Sequence, residues 1–125
     1  MSEKGIVLYI EDNADNRMLV KRVLEADGFT VFECPHPRQA MEIAQQVEPN
    51  IILMDINMPE LDGYTLTSQL KNTNKLKNIP IIALTANVMR GDREKSIQAG
   101  CDGYIQKPID IDMISHQLER YVRIR

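Results

Sequence analysis

Short apolar runs alternate along this chain with longer segments of helical period, and that alternation leaves few folds open. The runs are Ile6 to Ile10, Phe29 to Cys34, Ile51 to Met54, Ile81 to Leu84 and Gly103 to Gln106. Most are too short to be helices, and several are rich in isoleucine and valine, which suits strands. The segments between them read as helices. From about Ala14 to Ala26, an inward face of Leu19, Val20, Val23 and Leu24 is followed by Gly28, where a helix-ending glycine belongs. Pro37 suits the first turn of a second helix, with Ala40, Ile43, Ala44 and Val47 inward and Pro49 past its end. A third runs from about Gly63 to Leu70 and faces in with Leu66 and Leu70. A fourth runs from about Val88 to Ala99 and stops at Gly100; Gly91 falls in its interior and should weaken it by about 1 kcal/mol relative to alanine. Asp110 is placed to cap a fifth, whose Ile111, Ile114, Leu118 and Val122 recur on one face. Strands alternating with helices predict an α/β fold: a doubly wound parallel sheet covered on both faces, with right-handed crossovers.

Length and composition agree. At 125 residues, with 43% hydrophobic and 26% charged residues, the sequence reads as one globular domain, residues 1–125. No run of about 18 apolar residues occurs, so no membrane span is expected. Met1 to Lys4 lack the basic and apolar regions of a secretory leader, which predicts a cytoplasmic protein. A net charge of −3 argues against direct nucleic-acid binding. Cys34 and Cys101 lack metal-ligand spacing and read as reduced, core-filling thiols, and His36 and His116 stand alone as surface or cap residues.

Doubly wound sheets bind ligands at the carboxyl ends of their strands. Those ends carry Glu11 and Asp12, Asp55, Thr85 and Lys107. Three carboxylates brought to one rim repel one another, and at least one should hold its proton more tightly than usual. A divalent cation removes the conflict. Mg²⁺ prefers oxygen ligands and uses one or two carboxylates directly while keeping several waters. A carboxylate flanked by a cation, a lysine and a hydroxyl is suited to attack phosphorus and form an aspartyl phosphate.

The residues Glu11-Asp12-Asn13, Met54-Asp55-Ile56-Asn57-Met58-Pro59, Asp62-Gly63, Thr85-Ala86 and Lys107-Pro108 resemble the receiver domain of two-component response regulators, from about Gly5 to Tyr121. The stretch from Thr85 to Pro108 is nearest to single-domain regulators and to the receivers of hybrid kinases. The resemblance implies a flavodoxin-like (βα)5 fold with strand order 2-1-3-4-5. It implies that Asp55 is the phosphoacceptor and that Mg²⁺ is held by Glu11, Asp12, Asp55 and the backbone carbonyl of Asn57. Asp12 would be the direct ligand of the acidic pair, with Glu11 acting partly through water. Lys107 would pair with the phosphoryl group, Thr85 would swing toward it, and Tyr104 would be the aromatic that turns inward in response. Asn57 and Asn87 would flank the route of a hydrolytic water and tune the lifetime of the phosphorylated state. The Lys107-Pro108 peptide would be cis. Glu11 departs mildly from the family, since many members carry aspartate there.

The implied partners are a histidine kinase or histidine phosphotransfer protein as donor and a downstream protein as target. The chain would be a self-catalysed phosphoacceptor with slow autodephosphorylation rather than a turnover enzyme. Helix five ends within a few residues of Arg125. Met1 leading directly into strand one favours a protein signalling by contact, with a receiver fragment of a hybrid kinase as the alternative. A flavin-binding protein would need a loop rich in glycine, serine or threonine after strand one, where this chain has Glu11, Asp12 and Asn13. An aspartate-nucleophile phosphatase needs a second acid beside Asp55, where Ile56 and Asn57 stand. A phosphorylation-independent docking module would not need Asp55, Thr85 and Lys107 together.

Overall fold

The computed structural model describes residues 4–59, 61–86 and 91–122. Its strands are β1 (Gly5–Ile10), β2 (Phe29–Cys34), β3 (Ile51–Asp55), β4 (Ile81–Thr85) and β5 (Gly103–Gln106), joined by α1 (Ala14–Ala26), α2 (Ala40–Val47), α3 (Gly63–Lys71), α4 (Asp92–Ala99) and α5 (Ile114–Glu119). All the pairings are parallel, in the order β2-β1-β3-β4-β5. This is the expected doubly wound, flavodoxin-like arrangement.

Burial explains why the central strands read as unbroken apolar runs. Every residue of β3 and β4 is buried, because helices cover both faces. Alternate side chains divide between two cores. Leu8, Ile10, Ile52, Met54, Ile81 and Ala83 pack with Ala40 and Ala44 of α2 and Leu66 and Leu70 of α3. Val7, Tyr9, Ile51, Leu53, Ile82 and Leu84 pack with Val20 and Leu24 of α1 and Ile114 and Leu118 of α5. Each fully buried aliphatic side chain stabilises the fold by about 1.5–3 kcal/mol relative to exposure. Helix α4 packs on α3 and β5.

Local chemistry sets the helix ends. The Asn13 side chain accepts from the Asn16 N–H at the start of α1, and the Asp62 side chain accepts from the Tyr64 N–H at the start of α3. Pro37 opens a 3₁₀ turn, Pro37–Gln39, that leads into α2.

Four expectations need correction. Leu19 is 47% exposed, because the inward stripe of α1 is centred on Val20 and Leu24. Gly91 is the N-cap of α4 with φ 85°, a left-handed conformation that glycine adopts without strain, rather than an interior residue. The predicted first turn of that helix, at Val88, and Asn87 lie outside the described residues. Asp110 heads a turn before α5 rather than capping the helix: its carboxylate accepts from the Asp112 N–H at 2.9 Å, and the helix starts at Ile114. Ile111, expected inward, is 44% exposed because it lies in that turn.

Gly63 sits where α3 meets the end of β3. A Cβ there would stand 2.8 Å from Ile56 Cα and 3.1 Å from the Asp55 carbonyl oxygen, and neither backbone atom can move aside cheaply. At Gly103 the obstacle is the far end of the Tyr121 ring, 2.6 Å away, which can swing. Gly63→Ala should therefore lower the unfolding free energy by about 2 kcal/mol, within the usual range for overpacking. Gly103→Ala should cost clearly less. Urea unfolding of both variants checks the order, and equal costs would contradict it.

Candidate functional site

The carboxyl ends of β1, β3, β4 and β5 converge on one rim. Asp55 is the last residue of β3, and β3 lies between β1 and β4 in the sheet. Beyond the strand ends, the ladder continues through Glu11 N–H to the Cys34 carbonyl at 3.1 Å, Ile56 N–H to Leu84 at 3.1 Å and Lys107 N–H to Thr85 at 2.8 Å. These bonds carry the sheet's regularity into the loops that bear the polar groups. The last of them fixes Lys107 beside Thr85.

Glu11, Asp12 and Asp55 offer carboxylate oxygens that all lie within 4.8 Å of one another. Glu11 and Asp55 are buried, at 1% and 3% exposure, while Asp12 is open to solvent. Lys107 Nζ donates to Asp55 Oδ1 at 2.7 Å, and the Asn57 N–H donates to the same oxygen at 3.1 Å. The ion pair joins residues 52 positions apart in the chain. Thr85 is fully buried at the end of β4. Tyr104 is half-buried and packs against the core beneath α2 and α3, next to Ala83 across the β4–β5 ladder. The Lys107-Pro108 peptide is cis, as expected.

Crowding shows in the acid strengths. Burial, followed by the neighbouring Asp55 carboxylate, pushes the Glu11 carboxyl up to about 7. The direction is the one expected for acids crowded at the strand ends, although burial rather than repulsion is the larger cause. Two oxygens from buried acids and one from an exposed acid form an all-oxygen set open to water on one side. That set fits a hard divalent cation such as Mg²⁺.

Two residues that the sequence reading passed over hold the acidic loop. Arg17 reaches back from α1, and its Nη1 donates to the carbonyls of Glu11 at 3.0 Å and Asp12 at 2.9 Å. Tyr9, fully buried in β1, donates its hydroxyl to Glu11 Oε1 at 3.1 Å. A tyrosine in an otherwise aliphatic strand was the available signal for the second. Arg17 gave none, since an arginine in the first turns of a helix ordinarily faces solvent. Asn57 lies at the rim with an exposed side chain. Cys34 and Cys101 are buried free thiols, as expected, and His36 and His116 are exposed at the surface.

The pH dependence of stability follows from Glu11. The folded protein keeps a proton on this group up to about 7, whereas the unfolded chain releases it near 4.5. Between those values the folded state binds more protons, so the group's contribution to stability falls as pH rises. Glu11→Gln cannot lose that proton. In metal-free buffer the stability of Glu11→Gln relative to wild type should grow from pH 4.5 to 7 and then level off. Urea unfolding across that range checks it, and a flat difference would contradict the assignment.

Comparison with known proteins places these features in context. The family model for the response regulator receiver domain matches residues 7–119. The chain is 37% identical over 116 residues to the polar-differentiation response regulator DivK of Brucella anthropi, covering 93% of this chain and 94% of that protein. Among solved structures, it is similar to the receiver domain of a sensor histidine kinase from Pseudomonas aeruginosa, which has a magnesium ion coordinated in its active-site cleft. That match has a TM-score of 0.85 and 35% identity, covering 94% of this chain and 96% of the other. It is also similar to the chemotaxis protein CheY4 of Vibrio cholerae, with a TM-score of 0.88 and 25% identity, covering 94% and 98% of the two chains.

Proposed function

Because the chain belongs to the response regulator receiver family, we propose that Asp55 accepts the phosphoryl group and that the side chains around it carry out the transfer. Receivers are signalling modules of two-component systems rather than turnover enzymes. They exchange signals with histidine kinases or phosphotransfer proteins and with downstream targets. They bind Mg²⁺ in an acidic site, and this chain carries such a cluster in Glu11, Asp12 and Asp55.

The observation that carries the reading is the Lys107–Asp55 ion pair inside that cluster. Asp55 Oδ1 already accepts from Lys107 Nζ and from the Asn57 N–H, which leaves Oδ2 to attack phosphorus. The donor is a phosphohistidine on a kinase or phosphotransfer protein. The bond from imidazole nitrogen to phosphorus breaks as the bond from Asp55 Oδ2 forms. Asp12 and Asp55, with Glu11 partly through water and the Asn57 carbonyl, would hold Mg²⁺, which supplies charge neutralisation at the phosphoryl oxygens. Lys107 stands ready to transfer its ion pair from the carboxylate to the new phosphoryl group.

Phosphorylation replaces the single negative charge of the Asp55 carboxylate with a phosphoryl group of nearly twice that charge and three acceptor oxygens, beside a buried hydroxyl. Thr85 is the donor placed to meet them, and Tyr104 is the half-buried aromatic whose packing can follow. Together they form the switch that alters a surface for the downstream protein. The phosphoryl group is lost slowly by hydrolysis in the same pocket, on a route that Asn57 flanks. Residues 1–125 act as one receiver unit, a reading supported by the family match over 7–119. No helix among the described residues is long and apolar enough to cross a membrane. The two free cysteines suit a reducing cytoplasm.

Incubation with acetyl phosphate tests the chemistry. The intact mass should gain one phosphoryl group in the presence of Mg²⁺, little without it, and none in Asp55→Asn. A gain that survives Asp55→Asn would overturn the acceptor. No gain in folded wild type with several donors would favour the docking-module reading.

A further inference from the structure

Strand geometry places residues i and i+2 on the same face, so Tyr9 and Glu11 project to the same side of β1. That side is the core beneath α1 and α5, where Tyr9 belongs to the buried apolar cluster that includes Val20, Leu24, Leu53 and Ile114. A hydroxyl in such surroundings is costly unless it is hydrogen-bonded. Its partner is Glu11 Oε1 at 3.1 Å. The other oxygen, Oε2, accepts from the Asn13 N–H at 3.3 Å. Both oxygens of one acid in the cluster are therefore held from the protein side. The pair is matched in length, since an aspartate at position 11 would withdraw its carboxylate by about 1.5 Å, one carbon–carbon bond. The tyrosine hydroxyl would then be stranded in the core.

We propose that the Tyr9 hydroxyl is a positioning group that sets the Glu11 carboxylate toward Asp12 and Asp55 for divalent-cation binding, and that Tyr9 and Glu11 act as a unit. The inference rests on the metal-binding reading given above. Tyr9 does not touch the cation or the phosphoryl group and acts only through Glu11. Groups that orient metal-binding side chains commonly change affinity by 10- to 100-fold when removed.

The test is a double-mutant cycle of Tyr9→Phe and Glu11→Asp, read as the Mg²⁺ dissociation constant by calorimetry, with urea unfolding of each variant alongside. Tyr9→Phe keeps the ring in the core and removes only the oxygen. It should weaken Mg²⁺ binding about tenfold in the wild-type background and by less than twofold in Glu11→Asp, where the hydrogen bond is already lost. In unfolding, Tyr9→Phe should raise the urea midpoint of Glu11→Asp by relieving the stranded hydroxyl. Unchanged Mg²⁺ affinity in a folded Tyr9→Phe variant would overturn the positioning role alone. Equal losses in both backgrounds would also overturn it, by showing that the ring's packing matters rather than its bond to Glu11. Wild type without measurable Mg²⁺ affinity would overturn the metal-binding reading itself.

Discussion

Glu11, Asp12 and Asp55 stand within 4.8 Å of one another at the ends of two neighbouring strands, and two of them are buried. Mutual repulsion in a place where water screens poorly is the constraint on which the rest of the site depends. The protein answers it in three ways. Lys107 supplies a counter-charge to Asp55. A proton on Glu11 relieves part of the remainder near neutral pH. The open side at Asp12 leaves room for a cation with its waters. A phosphoryl group entering this pocket meets positive charge and hydrogen-bond donors already in place, which is the preorganisation that phosphoryl transfer requires.

The fold keeps these groups together against their own repulsion. Asp55 is anchored by a strand whose residues are all buried, so its backbone cannot retreat without dismantling both cores. Arg17 clamps the acidic loop through its carbonyls, and Tyr9 holds Glu11 from below. Gly63 lets α3 start within contact distance of the Asp55–Ile56 backbone, an approach that any side chain would block. The groups assigned to the switch lie on the other side of the pocket. Thr85 and Lys107 are joined through the backbone, and Tyr104 lies on the edge strand β5, which ends at Gln106 just before Lys107. Such an edge can respond to a new charge at Asp55 at lower cost than the buried centre of the sheet.

Much of this was legible in the sequence because a doubly wound sheet turns linear order into spatial order. Once the apolar runs are read as strands, the residues following them must share a rim, and Lys107 meets Asp55 across 52 positions for that reason alone. Periodicity was less informative where a segment's own backbone leaves the helix. Ile111 has the right spacing to face inward, but it lies in the turn before α5. Gly91 looks like a defect within a helix until its φ of 85° shows it to be the helix's start. The supports of the acidic loop were the least legible. Whether Arg17 folds back onto two carbonyls, and whether the Tyr9 hydroxyl reaches Glu11, depends on side-chain reach rather than on pattern.

The claim at the centre of this account is that a crowd of acids held partly by a proton gives way to a divalent cation. The most direct measurement is calorimetric titration with Mg²⁺ in buffers of different ionisation enthalpy, from pH 6 to pH 9. Glu11 retains its proton up to about pH 7 in the metal-free protein. Binding near pH 6 should therefore release about one proton per ion, and the release should fade above pH 8 as affinity reaches its plateau. It should be absent throughout in Glu11→Gln. Mg²⁺ binding with no proton release at pH 6, or with the same release in Glu11→Gln, would contradict the account.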